Sequence, residues 1–120
     1  MNVLIVQHRI ELANVWLRHL ERQGHAVRCV QGQEDAIAEI QRAAPDIIIM
    51  DLLLRDGSAL AVSDFASYRV PQARVIFVTD TTFFSDGSIF AHAGNACAYV
   101  QSETPPEDLA AIVDHYALGE

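Results

Sequence analysis

The sequence predicts an α/β domain of five βα units, with one parallel sheet covered by helices on both faces. Three observations carry this. Short apolar runs recur five times, four of them continuous, as strands buried on both sides are. Segments with apolar residues at three- and four-residue spacing lie between them, the stripe of an amphipathic helix. The joining stretches are short, and no repeat, low-complexity tract or linker interrupts the alternation, so residues 1–120 read as one domain.

Val3-Leu4-Ile5-Val6 is the first buried strand. From Glu11 to Gln23, Leu12, Ala13, Trp16, Leu17 and Leu20 form one helix stripe, and Gly24 supplies the left-handed stop. Ala26 to Val30 is a weaker strand interrupted by Arg28, which points to a sheet edge. Ala36, Ile37, Ile40 and Ala44 mark a second helix, closed by Pro45. Ile47-Ile48-Ile49-Met50 is the next buried strand, with Asp51 at its carboxyl end.

A loop with Asp56-Gly57 leads to a third helix near Ser58 to Tyr68. Val75-Ile76-Phe77-Val78 ends at Thr79-Asp80. A short fourth helix is expected from Asp86 to Ala93, stopping at Gly94-Asn95 before the fifth strand, Cys97 to Val100. Pro105-Pro106-Glu107-Asp108 opens a last helix, where Leu109, Ile112, Val113 and Tyr116 share a face. Prolines and acids suit that first turn. The expected architecture is a flavodoxin-like (βα)5 three-layer sandwich with strand order 2-1-3-4-5. Its ligands would sit beyond the carboxyl ends of strands 1 and 3.

Composition narrows the function. Sixteen acids against eight bases give a formal charge of −8, a poor match to nucleic acid, which needs a basic face. All eight bases are arginine, and the chain has no lysine. No apolar run is long enough to span a membrane, and the N-terminus does not read as a secretory leader, so a cytoplasmic location is expected. Cys29 and Cys97 are expected as buried reduced thiols. In the expected order they lie on opposite edge strands, roughly 19 Å apart at about 4.8 Å per strand, too far for a bridge.

The predicted carboxyl edge gathers Gln7 and His8, Asp51, Thr79 and Asp80, and Gln101 and Ser102. Here the whole chain resembles the receiver domain of two-component response regulators, of the chemotaxis type. Pro45 to Gly57 matches the family's strand 3, its phosphoacceptor aspartate (Asp51) and the following loop. Thr79 matches its hydroxyl residue, Ala93 to Val100 the run into strand 5, and Tyr99 the switch aromatic. Pro106 to Leu109 matches the start of the last helix.

Four positions depart from that pattern. The two acidic residues that hold Mg²⁺ in the family are Gln7 and His8 here. The lysine three positions after the switch aromatic is Ser102, and the following proline is Glu103. The resemblance therefore implies a receiver with impaired Mg²⁺-dependent phosphorylation and no expected cofactor, acting through protein contacts and not as an enzyme. The alternative is a conventional receiver phosphorylated on Asp51. Implied partners are a sensor histidine kinase or another signalling protein. A homodimer through the face of the fourth helix, fifth strand and last helix is also implied. Gln7 would offer Mg²⁺ only a neutral carbonyl and His8 only nitrogen. Arg9 or Arg55 would be the guanidinium to reach over the site. A flavin protein is disfavoured, since the loop Gln7 to Glu11 has no glycine to bring N–H groups to a phosphate.

Overall fold

The computed structural model describes residues 1–79 and 95–117. Within them, five strands alternate with four helices. In chain order these are β1 (Asn2–Val6), α1 (Ile10–Arg22), β2 (Ala26–Val30), α2 (Gln33–Arg42), β3 (Ile47–Asp51), α3 (Ala59–Arg69), β4 (Arg74–Thr79), β5 (Ala96–Gln101) and α4 (Pro106–Ala117). The sheet is parallel throughout, in the order β2-β1-β3-β4-β5. β2 is an edge strand, as its interrupting Arg28 implies, and Arg28 reaches off the sheet to Glu39 at 2.9 Å. The helix expected from Asp86 to Ala93 lies outside the described residues, as do Asp80, Phe83, Phe84 and His92. No helix among the described residues is long and apolar enough to cross a membrane.

Alternation along the strands sorts the core into two layers. Leu4, Val6, Ile48, Met50, Val75 and Phe77 pack with Ala36 and Ile40 of α2 and Val62 and Ala66 of α3. Val3, Ile5, Ile47, Ile49, Ile76 and Val78 pack on the other face with Ala13, Trp16 and Leu20 of α1 and Leu109, Ala110 and Val113 of α4. Both faces of β1, β3 and β4 are therefore buried, which is why their sequences are continuous and not alternating.

Between β4 and β5 the register shifts, so that Val75 faces Ala96 while Ile76 faces Ala98. Such an irregularity releases backbone groups from the ladder. The Cys97 carbonyl accepts the Tyr116 hydroxyl at 2.8 Å, tying α4 to the edge. The two cysteines are not both buried as expected: Cys97 is half-buried and Cys29 is exposed on the β2 edge. The Cys29 Sγ nevertheless turns toward the Ala13 carbonyl at 4.0 Å. Desolvation, then the charge of Glu21, push its thiol up to about 11. His25 is largely buried. Its side chain is 6% exposed and its Nε2 lies 2.8 Å from Asp114 Oδ1, linking the α1–β2 turn to α4.

The loops before α2 and α3 clasp each other. Asp56 Oδ1 accepts the Gln33 N–H at 3.1 Å at the start of α2, and Gln33 Oε1 accepts the Ser58 N–H at 2.8 Å at the start of α3. Gly57 sits between them at φ +78°, where a Cβ would run into the Gln33 side chain. Gly57→Ala is expected to destabilise the domain by about 1–3 kcal/mol, through left-handed backbone strain and loss of the clasp. Thermal unfolding measures it, and an unchanged midpoint would show that the loop relaxes without cost.

Candidate functional site

The carboxyl ends of β1, β3 and β4 end in polar residues that are buried where a strand would otherwise continue apolar. Gln7 is fully buried, Asp51 is 3% exposed and Thr79 is 2% exposed. Continuation of the sheet explains their depth. The Gln7 N–H donates to the Val30 carbonyl, and the Ser102 N–H donates to the Thr79 carbonyl at 2.9 Å. His8, Arg9, Asp51, Leu52, Leu53, Thr79 and Ser102 line a pocket of about 230 Å³. The fold thus brings together the residues singled out from sequence at this edge: Asp51, Thr79, Ser102 and His8 on the pocket wall, with Gln7 directly behind Asp51.

Both Asp51 oxygens are engaged. Oδ1 accepts the Leu53 N–H at 2.8 Å, and Oδ2 accepts Gln7 Nε2 at 2.8 Å. The Gln7 carbonyl points the other way and accepts the Arg9 N–H at 3.1 Å. Gln7 therefore offers its donor end to the carboxylate, and its oxygen is not available to a metal. The Arg9 guanidinium reaches to 3.7 Å from Asp51 Oδ2. Arg9 stands at the start of α1 with no side-chain capping role, so its side chain is available to cross the strand ends. Arg55 does not reach the site. It is held by Asp35, Asp56 and Gln31 on the far side of the loop.

Thr79 Oγ1 and His8 Nδ1 are both buried and find no hydrogen-bond partner among the described residues. Tyr99 lies one strand out, 37% exposed, its ring parallel to Phe77 with centroids 6.1 Å apart. The β4–β5 register places it opposite Phe77.

Mg²⁺, which the resemblance implies, does not fit this donor set. The ion requires near-octahedral oxygen ligands, carboxylates among them. Among the described residues, Asp51 is the single carboxylate lining the pocket. Its oxygens already accept two N–H groups and a guanidinium faces the same carboxylate, and where the resemblance implies two acidic ligands the chain carries the amide of Gln7 and the imidazole of His8. No group of three or more His, Cys, Asp or Glu side chains is placed to hold a metal among the described residues.

Sequence reading missed two contributors. The Leu53 N–H is a backbone donor, which no side-chain pattern reveals. Gln31, whose Nε2 donates to the His8 carbonyl at 3.2 Å, holds the β1–α1 loop from a neighbouring strand end. Its only sequence signal is its place just beyond β2.

No family model matches the chain. Among curated proteins it is 28% identical over 88 residues to the response regulator protein VraR of Staphylococcus aureus, covering 72% of this chain and 41% of that protein. The match thus spans about two fifths of the length of these relatives. Among solved structures, the receiver domain of NtrX from Brucella abortus superposes with a TM-score of 0.87 at 18% identity, over 98% of this chain and 99% of that one. A CheY-like response regulator receiver domain protein from Methanospirillum hungatei JF-1 gives 0.86 at 22% identity, over 96% and 91%.

Proposed function

We propose that this chain, which has the fold of response-regulator receiver domains, is a signalling module that works through protein contacts without Mg²⁺-dependent phosphorylation of Asp51. The supporting observation is the 2.8 Å hydrogen bond from Gln7 Nε2 to Asp51 Oδ2. An amide donor occupies the place where a second carboxylate would have to stand. Phosphoryl transfer depends on positioned positive charge around the acceptor, above all on metal ions that neutralise the phosphoryl oxygens. Here Ser102 stands where an ammonium group would, and Arg9 contributes one guanidinium at 3.7 Å.

The partners proposed are a sensor histidine kinase or another signalling protein, and a second copy of the chain through the β5–α4 side. A conventional receiver, phosphorylated on Asp51 by its kinase, is the competing reading. It draws on the retained Thr79 and on the Arg9 charge.

Incubated with Mg²⁺ and acetyl phosphate, the protein is expected to keep its unmodified intact mass. A stoichiometric phosphate adduct that disappears in Asp51→Asn would overturn the proposal and favour the conventional reading.

A further inference from the structure

Resting on the reading of Asp51 as a residue that stays unphosphorylated, we propose that Arg55 and Gln31 form a lock on the loops that flank it. The lock sets how the Asp51 carboxylate is held, and opening it changes those contacts without chemistry at Asp51.

The first observation is where the Asp51 contacts come from. Gln7 Nε2 donates from the end of β1, whereas the Leu53 N–H and the Arg9 guanidinium approach from the β3–α3 and β1–α1 connections. Two of these three groups are therefore placed only as firmly as their loops are. The Leu53 side chain does not anchor its own N–H, since it is 65% exposed.

The second observation is what holds the loops. Arg55 stands two residues after Leu53 and reaches across to the segment between β2 and α2. Its N–H donates to the Gln31 carbonyl at 3.1 Å. Nη1 donates to Gln31 Oε1 and Nη2 to Asp35 Oδ2, both at 3.3 Å, and Nε lies 3.5 Å from Asp56 Oδ2. Every edge of the planar guanidinium thus has a partner, which fixes its orientation as a point charge would not be fixed. Leu54, between Leu53 and Arg55, is buried beneath α2 and α3 and serves as the pivot that couples them. Gln31 also serves the other loop: its Nε2 donates to the His8 carbonyl at 3.2 Å, one residue before Arg9.

The third is exposure. The Arg55 and Asp35 side chains are 53% and 59% exposed. An exposed ion pair is weak, so local opening here costs far less than unfolding. The centre of the lock also lies within reach of a docking protein, while Asp51 itself is 3% exposed.

Amide hydrogen exchange of the full chain in EDTA, with no phosphodonor, tests the lock. Arg55→Ala should speed exchange at the Leu53 amide about three- to tenfold, as loss of exposed hydrogen bonds to a charged group does. It should also shift the Asp51 carboxyl carbon resonance. Exchange at Ile49, in the middle of β3, should match the parent chain. Arg55→Lys keeps the charge without the fork and should restore only part of the protection. Gln31→Ala should speed Leu53 exchange and, in addition, move the Arg9 Nε signal, which Arg55→Ala leaves in place. Arg42→Ala, which breaks a surface pair with Glu39, should change neither. A Leu53 rate equal to the parent's in both Arg55→Ala and Gln31→Ala would mean that the burial of Leu54 alone holds the loop, and the lock would be overturned. Equal acceleration at Ile49 would overturn it as well, since Arg55 would then only stabilise the fold. Either result leaves the unmodified mass under Mg²⁺ and acetyl phosphate to stand, whereas a phosphate adduct on Asp51 would overturn that reading and leave the exchange rates as measured.

Discussion

Gln7→Asp is expected to destabilise the domain in metal-free buffer by at least about 1–3 kcal/mol, and to make its stability respond to Mg²⁺. Gln7 is fully buried and its amide donates to Asp51 Oδ2. The substitution deletes that donor and sets a second carboxylate against the first in a low-dielectric site, where like charges penalise each other. Arg9 meets only part of the added charge, because it already faces Asp51 from 3.7 Å.

A divalent ion reverses the sign of the effect. Two adjacent carboxylates attract it, and an ion that binds only the folded state raises the unfolding midpoint with its concentration. Adding His8→Asp should strengthen the response, and adding Ser102→Lys should allow a phosphate adduct on Asp51 from acetyl phosphate. Thermal melts with and without Mg²⁺, followed by the fluorescence of Trp16, read the first effect. Intact mass reads the last. The decisive comparison is the parent chain: a Mg²⁺-dependent midpoint there, as large as in Gln7→Asp, would mean that the site seats the ion as it stands.

Phe77→Ala should cost about 3–5 kcal/mol, a large share of the roughly 5–15 kcal/mol that holds a typical domain together. Phe77 is fully buried in the layer beneath α2 and α3. Its removal leaves a cavity flanked by Met50 and Val75 and takes away the ring on which Tyr99 lies. Trp16 sits in the other layer, across the sheet, and so reports unfolding without direct disturbance by the substitution. Urea unfolding measures the loss. A cost below about 1 kcal/mol would show that the layer collapses onto the gap, contrary to the rigid packing argued from its burial. Phe77→Leu, which keeps most of the volume, should cost much less.

The core layers were legible in the sequence because burial on both faces leaves a plain mark. Val3 to Val6, Ile47 to Met50 and Val75 to Val78 admit no polar residue, and each is a strand of the inner sheet. Helix stripes were legible for the same reason: Ala13, Trp16 and Leu20 recur at helical spacing and all are buried. The edge position of β2 followed from Arg28. Less was legible in the loops. Exposure of Cys29 depends on which neighbour lies beside its strand, and the burial of His25 depends on where α4 packs. Both are long-range facts with no local signature.

The residue types at the strand ends were written in the chain: an amide and an imidazole where the resemblance calls for two acids, a serine in place of an ammonium group, and no lysine anywhere. That alone set the charge of the site. Tertiary structure decided how those groups are aimed. It turned the Gln7 amide so that nitrogen and not oxygen meets Asp51, brought Arg9 over the carboxylate and left Arg55 with Asp35. It also buried the Thr79 hydroxyl without a partner among the described residues. Composition and periodicity record what a side chain is and which face it takes. Hydrogen-bond direction depends on atoms contributed by distant segments, and these meet only once the sheet has formed.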